Sequence, residues 1–463
     1  MNDKTHIEPD PAREQRIRDL DREYVLHSWS VQSQIKPLPV AGAEGRHFWD
    51  YAGKRYLDFS SQLVNVNIGH QHAKVVEAIV EQARTLCTIA PTAANEKRSE
   101  LARLLAEVTP GNLKASFFTN GGAEANENAI KLARWYTGRQ KIIARYRSYH
   151  GATAGAIALT GDPRRWPAEP SIPGVVRMFD PYTYRCSAGR RGETVAEHVA
   201  ACPVCAGGPH LEEILQYEGP HTVAAVILET VTGTNGIIVP PDGYLRSIRE
   251  VCDRYGVLLI LDEVMAGFGR TGRWFACEHW DVTPDIMSVA KGINSGYVPL
   301  GAMVVSEPIA EWLQDKYLAG GLTYSGHPLA CASAVASIEA FREEGIVENA
   351  AAMGDVLAVE TAALAARHPS VGEARGLGLF WGLELVRDRE TREPLVPFNA
   401  GGDAAAPMAR LGKAAMERGL LLMTHFNILM ICPPLTITRE ELAEGLAVID
   451  EILTLSDLEC AQP

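Results

Sequence analysis

The stretch VLLILDE (residues 257–263) is almost wholly apolar until it ends in two carboxylates, and VAAVILE (residues 223–229) repeats this pattern. Strands that are apolar on both faces are typical of a parallel sheet covered by helices. Around them lie segments with helical periodicity, such as residues 94–108. The alternation of such strands and helices predicts an α/β domain with a mostly parallel sheet flanked by helices.

On both sides of this core, the pattern of apolar and polar residues changes. Residues 47–61 (HFWDYAGKRYLDFSS) alternate aromatic and polar side chains around Gly53, which predicts a β-hairpin. After about residue 335 the pattern is helical, then strand-like at 376–386, then helical from a capping-box spacing at Thr438. We therefore predict a large domain over residues 72–335 and a smaller α+β domain assembled from residues 1–71 and 336–463.

The composition excludes several classes of protein. The 463 residues carry a net charge of -13 and are 46% hydrophobic, as in an ordinary globular protein. An acidic chain without a polybasic cluster is a poor nucleic-acid or membrane-surface binder. The charged opening, residues 1–24, has no apolar signal run, and nine scattered cysteines do not form a disulfide framework. We expect a cytoplasmic protein.

Lysine is scarce, and its distribution singles out one position. The chain has 11 lysines against 33 arginines, with no lysine between Lys141 and Lys291. Lys291 follows the apolar run 286–290, at the predicted carboxyl end of a strand, where open α/β sheets bind ligands. A desolvated amine there has a lowered pKa and can form a Schiff base. Alternatively, Lys291 is a lysine that extends from the strand end to solvent.

Asp262 supplies a second candidate at the same edge, because it closes the strand 257–261. A buried aspartate near Lys291 could form a plain ion pair. Set farther apart, the two residues suit the two ends of pyridoxal phosphate (PLP). The lysine would hold the aldehyde carbon and the aspartate would keep the pyridine nitrogen protonated.

A phosphate site is offered by residues 119–136 (TNGGAEANENAIKLARWY), where Gly121 and Gly122 directly precede an amphipathic helix. Glycines permit close approach of the backbone, and the free N–H groups of a first helical turn attract an anion. Such turns are common without a phosphate. In RYRSYHG (residues 145–151), Tyr149 could stack on a planar ring or simply pack at a strand end.

A stray G-x-G-x-x-G motif at Gly267, Gly269 and Gly272 would suggest a dinucleotide-dependent oxidoreductase. Five residues separate its first glycine from the strand, and the following segment is a poor helix that contains Pro284. Dinucleotide glycines open a helix immediately after a strand, so we interpret this stretch as a loop that shapes the site.

Residues 181–210 form a cysteine-rich excursion. Cys202 and Cys205 in a CxxC spacing, together with Cys186, His198 and His210, are candidates for a structural tetrahedral zinc site, or even for a zinc-held binding module. The missing second CxxC and the irregular spacing fit a surface excursion with free thiols equally well. No metal is predicted in the catalytic site.

Five motifs follow one another in a family's order: TNGGAEANENAIKLAR, SYHG, LDEVMAGFGRTG, SVAKGINSGYVPLGAM and GGLTYSGHP. With this order, the chain resembles the class III aminotransferases, PLP enzymes of fold type I, over about residues 40–450. Within that family it is most similar to taurine–pyruvate and ω-amino-acid–pyruvate aminotransferases, because of residues 145–166 and the cysteine-bearing excursion.

The resemblance implies roles for individual residues. Lys291 is the Schiff-base lysine, and Asp262 is the partner of the pyridine nitrogen. The phosphate lies on the backbone of Gly122 and Ala123, and Thr323 of the partner subunit adds its hydroxyl. The implied enzyme is a homodimer or a dimer of dimers with its sites at the subunit interface. The full implied cofactor set is Gly121, Gly122, Ala123, Tyr149, His150, Glu229, Asp262, Val264, Lys291 and Thr323.

The substrate is less defined. Family members that take glutamate often carry an arginine before the PPL motif, whereas LLMTHFNILMICPPL (residues 421–435) has none and offers Met423 and Met430 instead. We predict amino transfer from an ω-amino acid, a taurine-like donor or a simple amine to pyruvate, with ping-pong kinetics. The alternatives are 2-oxoglutarate as acceptor, or an aminomutase, racemase or decarboxylase reaction. Candidate substrate residues are Trp29, Leu63, Arg164, Arg165, Arg375 and Met423.

Overall fold

The computed structural model describes residues 9–189 and 193–460. Its N-terminal part contains α1 (Pro11–Tyr24), β1 (Val40–Glu44), β2 (His47–Asp50), β3 (Arg55–Asp58), α2 (Ser61–Val64), α3 (Ala73–Thr85) and α4 (Glu96–Val108). Strands β2 and β3 pair antiparallel, with Trp49 opposite Arg55, which confirms the predicted hairpin.

In its described residues, the central part holds seven strands and eight α-helices. They are β4 (Leu113–Thr119), α5 (Gly122–Thr137), β5 (Lys141–Arg145), α6 (Ala154–Leu159), β6 (Val175–Met178), α7 (Val195–Ala201), α8 (Pro203–Ala206), α9 (Gly208–Glu218), β7 (Val223–Glu229), α10 (Tyr244–Tyr255), β8 (Leu258–Asp262), β9 (Ile286–Val289), β10 (Gly301–Ser306), α11 (Glu307–Leu313) and α12 (Pro328–Glu343). The strands form one sheet in the order β4-β10-β9-β8-β7-β5-β6. Only β10 runs antiparallel to its neighbours, so the predicted mostly parallel sheet is confirmed.

The C-terminal part follows. It contains α13 (Ile346–Arg367), β11 (Val371–Leu377), β12 (Phe380–Asp388), β13 (Glu393–Pro394), α14 (Ala406–Glu417), β14 (Leu420–Leu421), β15 (Met423–His425), β16 (Ile428–Ile431) and α15 (Arg439–Asp457). Strands β11, β12, β16 and β15 form a second sheet, whereas β14 pairs with β3 in a third. The two ends of the chain thus share a sheet. The predicted domain boundary at residue 335 falls inside α12.

The carboxyl edge of the large sheet is where the site arises. Strands β7, β8 and β9 are adjacent and parallel, and every residue in them is buried. Glu229 pairs with Asp262 in register, and Asp262 pairs with Ser288, three residues before Lys291. Because parallel strands end at the same edge, these polar side chains emerge side by side from an apolar sheet.

The glycine motif after β8 opens no helix. Residues 264–274 form turns, in which Gly269 has φ +82° and lies so close to Leu435 that an added Cβ would approach its Cδ1 to 2.8 Å. The interpretation of this stretch as a loop is therefore confirmed. Within the described part of the chain, no helix has the length and apolar character needed to cross a membrane.

Candidate active site

A cavity of about 610 Å³ opens at the carboxyl edge of the large sheet. It collects most of the residues that the sequence predicted for the site. Those that line it are Trp29, Leu63, Gly121, Gly122, Ala123, Tyr149, His150, Arg164, Glu229, Asp262, Val264, Lys291 and Met423. The strand ends contribute the acids and the lysine, and the start of α5 contributes the glycines.

Lys291 lies directly after β9 with a left-handed backbone, φ +44°, which is uncommon for a residue other than glycine. Its ammonium forms neither a hydrogen bond nor an ion pair with any described residue. Burial lowers the pKa of this amine, and the negative charges of Asp262 and Glu229 oppose that shift. The following residue must be small, because a Cβ on Gly292 would lie 2.5 Å from the Asn67 amide nitrogen. The cavity therefore holds an unpartnered amine with a depressed pKa.

Asp262 is held by two donors on one carboxylate oxygen. Its Oδ2 accepts hydrogen bonds from His150 Nδ1 and from Asn126 Nδ2, each at 2.8 Å, and its Oδ1 accepts from the Val264 N–H at 3.1 Å. Since Nδ1 carries the proton, Nε2 of the buried His150 is left without a partner among the residues that the structure describes. These contacts fix the orientation of a buried carboxylate at the floor of the cavity.

Glu229 stands beside Asp262 and is bonded to backbone rather than to a cation. Its Oε1 accepts from the Tyr149 N–H at 2.9 Å and its Oε2 from the Gly233 N–H at 2.8 Å. Burial raises the pKa of this carboxyl group. Glu229 thereby positions the segment that carries Tyr149.

The start of α5 provides an anion-binding cradle. The first intrahelical bond runs from Ala125 to Gly121, so the N–H groups of Gly122 and Ala123 have no helical acceptor. A side chain at Gly122 would bring its Cβ within 2.8 Å of Val264 Cγ2. At Gly151 (φ +131°) a Cβ would lie 2.5 Å from that of Ala123. Because close packing on both sides leaves no room for side chains here, the backbone N–H groups are exposed to the cavity.

Arg164 and two aromatic rings form the outer wall. The guanidinium lies 3.8 Å from the centre of the Tyr149 ring, and Trp29, which is 58% exposed, meets that ring edge-on at 6.2 Å. Asp162 holds Arg164 through an ion pair of 2.5 Å, and the Thr234 hydroxyl accepts a hydrogen bond from it at 2.8 Å. Arg164 is thus the cation of this wall.

Arg375 corrects the sequence-based prediction, because it does not line the cavity. Its guanidinium bonds Glu384 at 2.7 Å, the Gly236 carbonyl through Nε at 2.9 Å and the Tyr182 hydroxyl at 2.9 Å, and it also pairs with Glu373. A set of acceptors this complete commits the group to a buried ion cluster that joins β11 and β12 to the loops that carry Tyr182 and Gly236.

Three further candidates also lie apart from the cavity. Arg165 pairs with Glu169 at 2.8 Å. Met430 is buried in β16 opposite Met423, so only Met423 reaches the cavity from the apolar pair. Thr323 is exposed and lies outside the cavity of its own chain.

Asn126 and Asp162 were missed by the sequence reasoning. Asn126 donates to Asp262 and to the His150 carbonyl, both at 2.8 Å, and so ties α5 to β8. An asparagine on the apolar face of an amphipathic helix was a readable signal, since buried polar groups require partners. Asp162, which also accepts from Asn235 at 2.9 Å, had no comparable local signal.

The cysteine-rich excursion is a second cluster away from the cavity. The ligand atoms of Cys186, His198, Cys202 and Cys205 all lie within 4.8 Å of one another. His210 is not part of the group, because its ring stacks on Phe179 and accepts the Phe179 N–H at 3.3 Å.

Comparison with known proteins gives the family of this chain. The sequence profile of the family "Aminotransferase class-III" matches residues 29–453. The chain belongs to the class III aminotransferases. Enzymes of this class depend on PLP, and the unpartnered Lys291 amine, the Asp262 carboxylate and the N–H cradle of α5 fit the three ends of that cofactor.

This class III aminotransferase is similar to two solved structures and one sequence relative. The taurine:2-oxoglutarate aminotransferase of Bifidobacterium kashiwanohense, solved with PLP and glutamate, is 43% identical, covers 97% of this chain and 99% of its own, and has a TM-score of 0.92. An (S)-enantioselective ω-transaminase of Thermomicrobium roseum is 40% identical at TM-score 0.88, with 97% and 99% coverage. The taurine–pyruvate aminotransferase of Bilophila wadsworthia is 34% identical over 94% of this chain and 96% of its own.

Proposed function

We propose that this aminotransferase moves an amino group from an ω-amino acid, a taurine-like donor or a simple amine to pyruvate. The observation that carries the proposal is the outer wall of the cavity. Among the described residues that line it, Arg164 is the only arginine, and Trp29, Leu63 and Met423 supply apolar surface around it. Such a wall can bind one acidic group of the donor at Arg164, while the rest of the donor lies in apolar surroundings.

PLP supplies an aldehyde carbon that accepts the amino group and a ring that withdraws electrons from it. The chain's own residues hold and serve that group. Lys291 would hold the cofactor through its amine and, as the base of the site, would take the proton from the amino-bearing carbon of the donor and later return it. Its lowered pKa keeps the amine available as a base.

Asp262 would stand against the ring nitrogen and hold its positive charge. The donors His150 and Asn126 hold the Asp262 carboxylate in a fixed orientation. Tyr149 and Val264 would flank the ring, with Glu229 near its hydroxyl side. The N–H groups of the first turn of α5 would receive the phosphate.

The acceptor is the finer part of the proposal. No arginine occurs in residues 421–435, which favours a small monocarboxylate such as pyruvate. A second candidate, 2-oxoglutarate, is favoured by the 43% identity to the B. kashiwanohense enzyme, whose name includes that acceptor.

We also propose a cytoplasmic homodimer or dimer of dimers. Thr323 is exposed and does not line its own cavity, as expected if Thr323 of the partner subunit completes the phosphate site. Gel filtration with light scattering tests the assembly. Loss of cofactor affinity in Thr323→Val, with the assembly intact, tests the shared site.

A donor and acceptor panel tests the function itself. Taurine, β-alanine, putrescine and 1-phenylethylamine are each incubated with pyruvate and, separately, with 2-oxoglutarate, and the alanine and glutamate formed are measured. Alanine from at least one donor is expected. Glutamate alone would move the assignment to 2-oxoglutarate, and conversion of a donor without either product would favour a racemase, aminomutase or decarboxylase.

A further inference from the structure

The excursion between β6 and α9 brings three cysteines and a histidine to one point. His198 and Cys202 are four residues apart at the end of α7, so they lie on the same side of that helix. Cys205 lies in the next turn, α8, and Cys186 reaches the group from the preceding loop. The histidine, Cys202 and Cys205 are buried, and Cys186 is half-buried.

The spacing of the ligand atoms matches a tetrahedral metal site. Zn–S bonds of about 2.3 Å place two sulfurs of such a site about 3.8 Å apart, and a Zn–N bond of about 2.0 Å places nitrogen and sulfur about 3.5 Å apart. The Cys186 and Cys202 sulfurs are separated by 3.7 Å, and His198 Nε2 lies 3.2 Å from the Cys205 sulfur. A disulfide needs about 2.0 Å, and all nine cysteines are free thiols.

A supporting contact orients the histidine. Nδ1 of His198 lies 2.7 Å from the Glu193 carboxylate, so the proton is on Nδ1 and the lone pair of Nε2 points at the sulfurs. Histidine ligands of metals are commonly held by a carboxylate in this manner. A hydrogen bond from Nε2 to a thiol would not require this arrangement of all four atoms.

We propose that Cys186, His198, Cys202 and Cys205 bind one Zn²⁺ ion in a closed, structural site separate from the catalytic cavity. Three thiolates and a neutral imidazole are a preferred zinc set, and they leave no open position for chemistry. The site lies apart from all the residues that amino transfer requires.

The position of the site indicates what it stabilises. Arg185, next to Cys186, pairs with Glu384 of β12, and Tyr182 bonds the same carboxylate. Tyr182 also contacts Arg375, and the Arg147 guanidinium lies 5.0 Å from the centre of the Tyr182 ring. The zinc ion would therefore fix the loop that contacts Glu384 of β12 and Arg147, which lies two residues before Tyr149 in the chain.

Metal analysis of the purified holoenzyme tests the proposal. Protein from zinc-supplemented culture, purified without chelator, is expected to hold about one zinc per chain. Reduced, zinc-stripped protein titrated with Co²⁺ is expected to show the intense bands of a tetrahedral cobalt ion bound to sulfur. Zinc-free protein that also takes up no Co²⁺ would overturn the proposal, as would a Cys186–Cys202 disulfide in non-reducing peptide mapping.

Variants locate the metal. Cys205→Ser is expected to lose at least about nine-tenths of the zinc, and Glu193→Gln to bind it about 10–100-fold more weakly while retaining all four ligands. The matched control is Cys252→Ala, a buried thiol of α10 outside the cluster. Full zinc content in Cys205→Ser would place the metal elsewhere and refute the site. If Cys205→Ser does not fold, Glu193→Gln and the cobalt spectrum of the unmutated protein decide the question.

Discussion

His150 Nδ1 lies 2.8 Å from Asp262 Oδ2 at the floor of the cavity, and the other ring nitrogen of His150 has no partner in the described part of the chain. This single contact links the segment before α6 to the carboxyl end of β8. The orientation of the Asp262 carboxylate therefore depends on His150.

Replacing His150 by phenylalanine removes the ring donor to Asp262 while keeping a ring of similar size. Hydrogen bonds to charged groups contribute about 1.5–3 kcal/mol, which corresponds to about 10–150-fold in rate. We expect kcat at saturating PLP to fall within that range, measured by alanine formation. His150→Asn, which can still donate, should lose less. Equal losses in both variants would contradict a positioning role.

Replacing Lys291 by alanine should abolish amino transfer, with a loss of at least about 10²–10⁴-fold, because the base for proton movement is removed. The protein should also fail to retain cofactor after borohydride reduction, as mass spectrometry would show. Lys316→Ala removes another lysine, beside Trp312, and serves as the control. Activity that persists in Lys291→Ala would refute the assignment.

The pH dependence of cofactor attachment follows from the lowered pKa of Lys291. Attachment needs the neutral amine, so its rate should rise with pH and reach its midpoint below 10.5, the ordinary lysine value. Asp262 and Glu229 oppose the shift, so Glu229→Gln should move the midpoint still lower. Stopped-flow absorbance of the apoenzyme mixed with PLP measures this. A midpoint that stays the same or moves upward would contradict the stabilisation of the Lys291 ammonium by the charge of Glu229.

Gly122 tests the cradle at the start of α5. In Gly122→Ala the new Cβ would lie 2.8 Å from Val264 Cγ2, and overpacking of this kind costs about 1–3 kcal/mol. We expect weaker PLP binding and a lower free energy of unfolding. The double variant Gly122→Ala/Val264→Ala should recover stability, because the clash is removed. Failure to recover would locate the requirement for glycine in the backbone itself.

Arg164 and Arg375 should differ in their effect on KM when each is changed to methionine. Arg164→Met should raise the KM of the carboxylate or sulfonate substrate by about tenfold or more, since loss of one charge-assisted hydrogen bond costs about 1.5–3 kcal/mol. It should also lower the free energy of unfolding, because the buried Asp162 carboxylate loses its ion pair. Arg375→Met should leave KM almost unchanged but destabilise the fold by about 3–5 kcal/mol, because Glu373 and Glu384 lose their buried partner. Urea unfolding and steady-state kinetics separate the two. A large KM effect in Arg375→Met would restore it as a substrate residue.

The predictable part of the fold and site is the part whose signals are local. Lys291, Asp262 and Gly122 each lie at the end of a strand or the start of a helix. Apolar runs in the sequence indicate where the strands end, and the glycines indicate where the helix begins. Because parallel strands end at one edge, knowing the elements was enough to predict that these residues meet there.

Arg375 and Cys186 could not be placed in this way. Whether an arginine in a strand reaches a substrate or an internal acid depends on how the two sheets pack, and Glu384 lies nine positions along in the neighbouring strand. The group around Cys186 depends on the path of an irregular loop, which has no period to read. Met430 was mistaken for a pocket residue because β16 is an apolar run. In such a run the sequence does not show which side chains face the pocket and which face away from it.

The pairing of β3 with β14 has a consequence for biosynthesis. Leu57 and Leu420 are partners in one ladder, and the Ser61 hydroxyl donates to the Cys432 carbonyl at 2.7 Å, so the region around Leu63 cannot be anchored until the last tenth of the chain has been made. The strands of the large sheet, by contrast, are contiguous between residues 113 and 306. On the ribosome we therefore expect the cofactor cradle to form first and the donor-facing wall to close last.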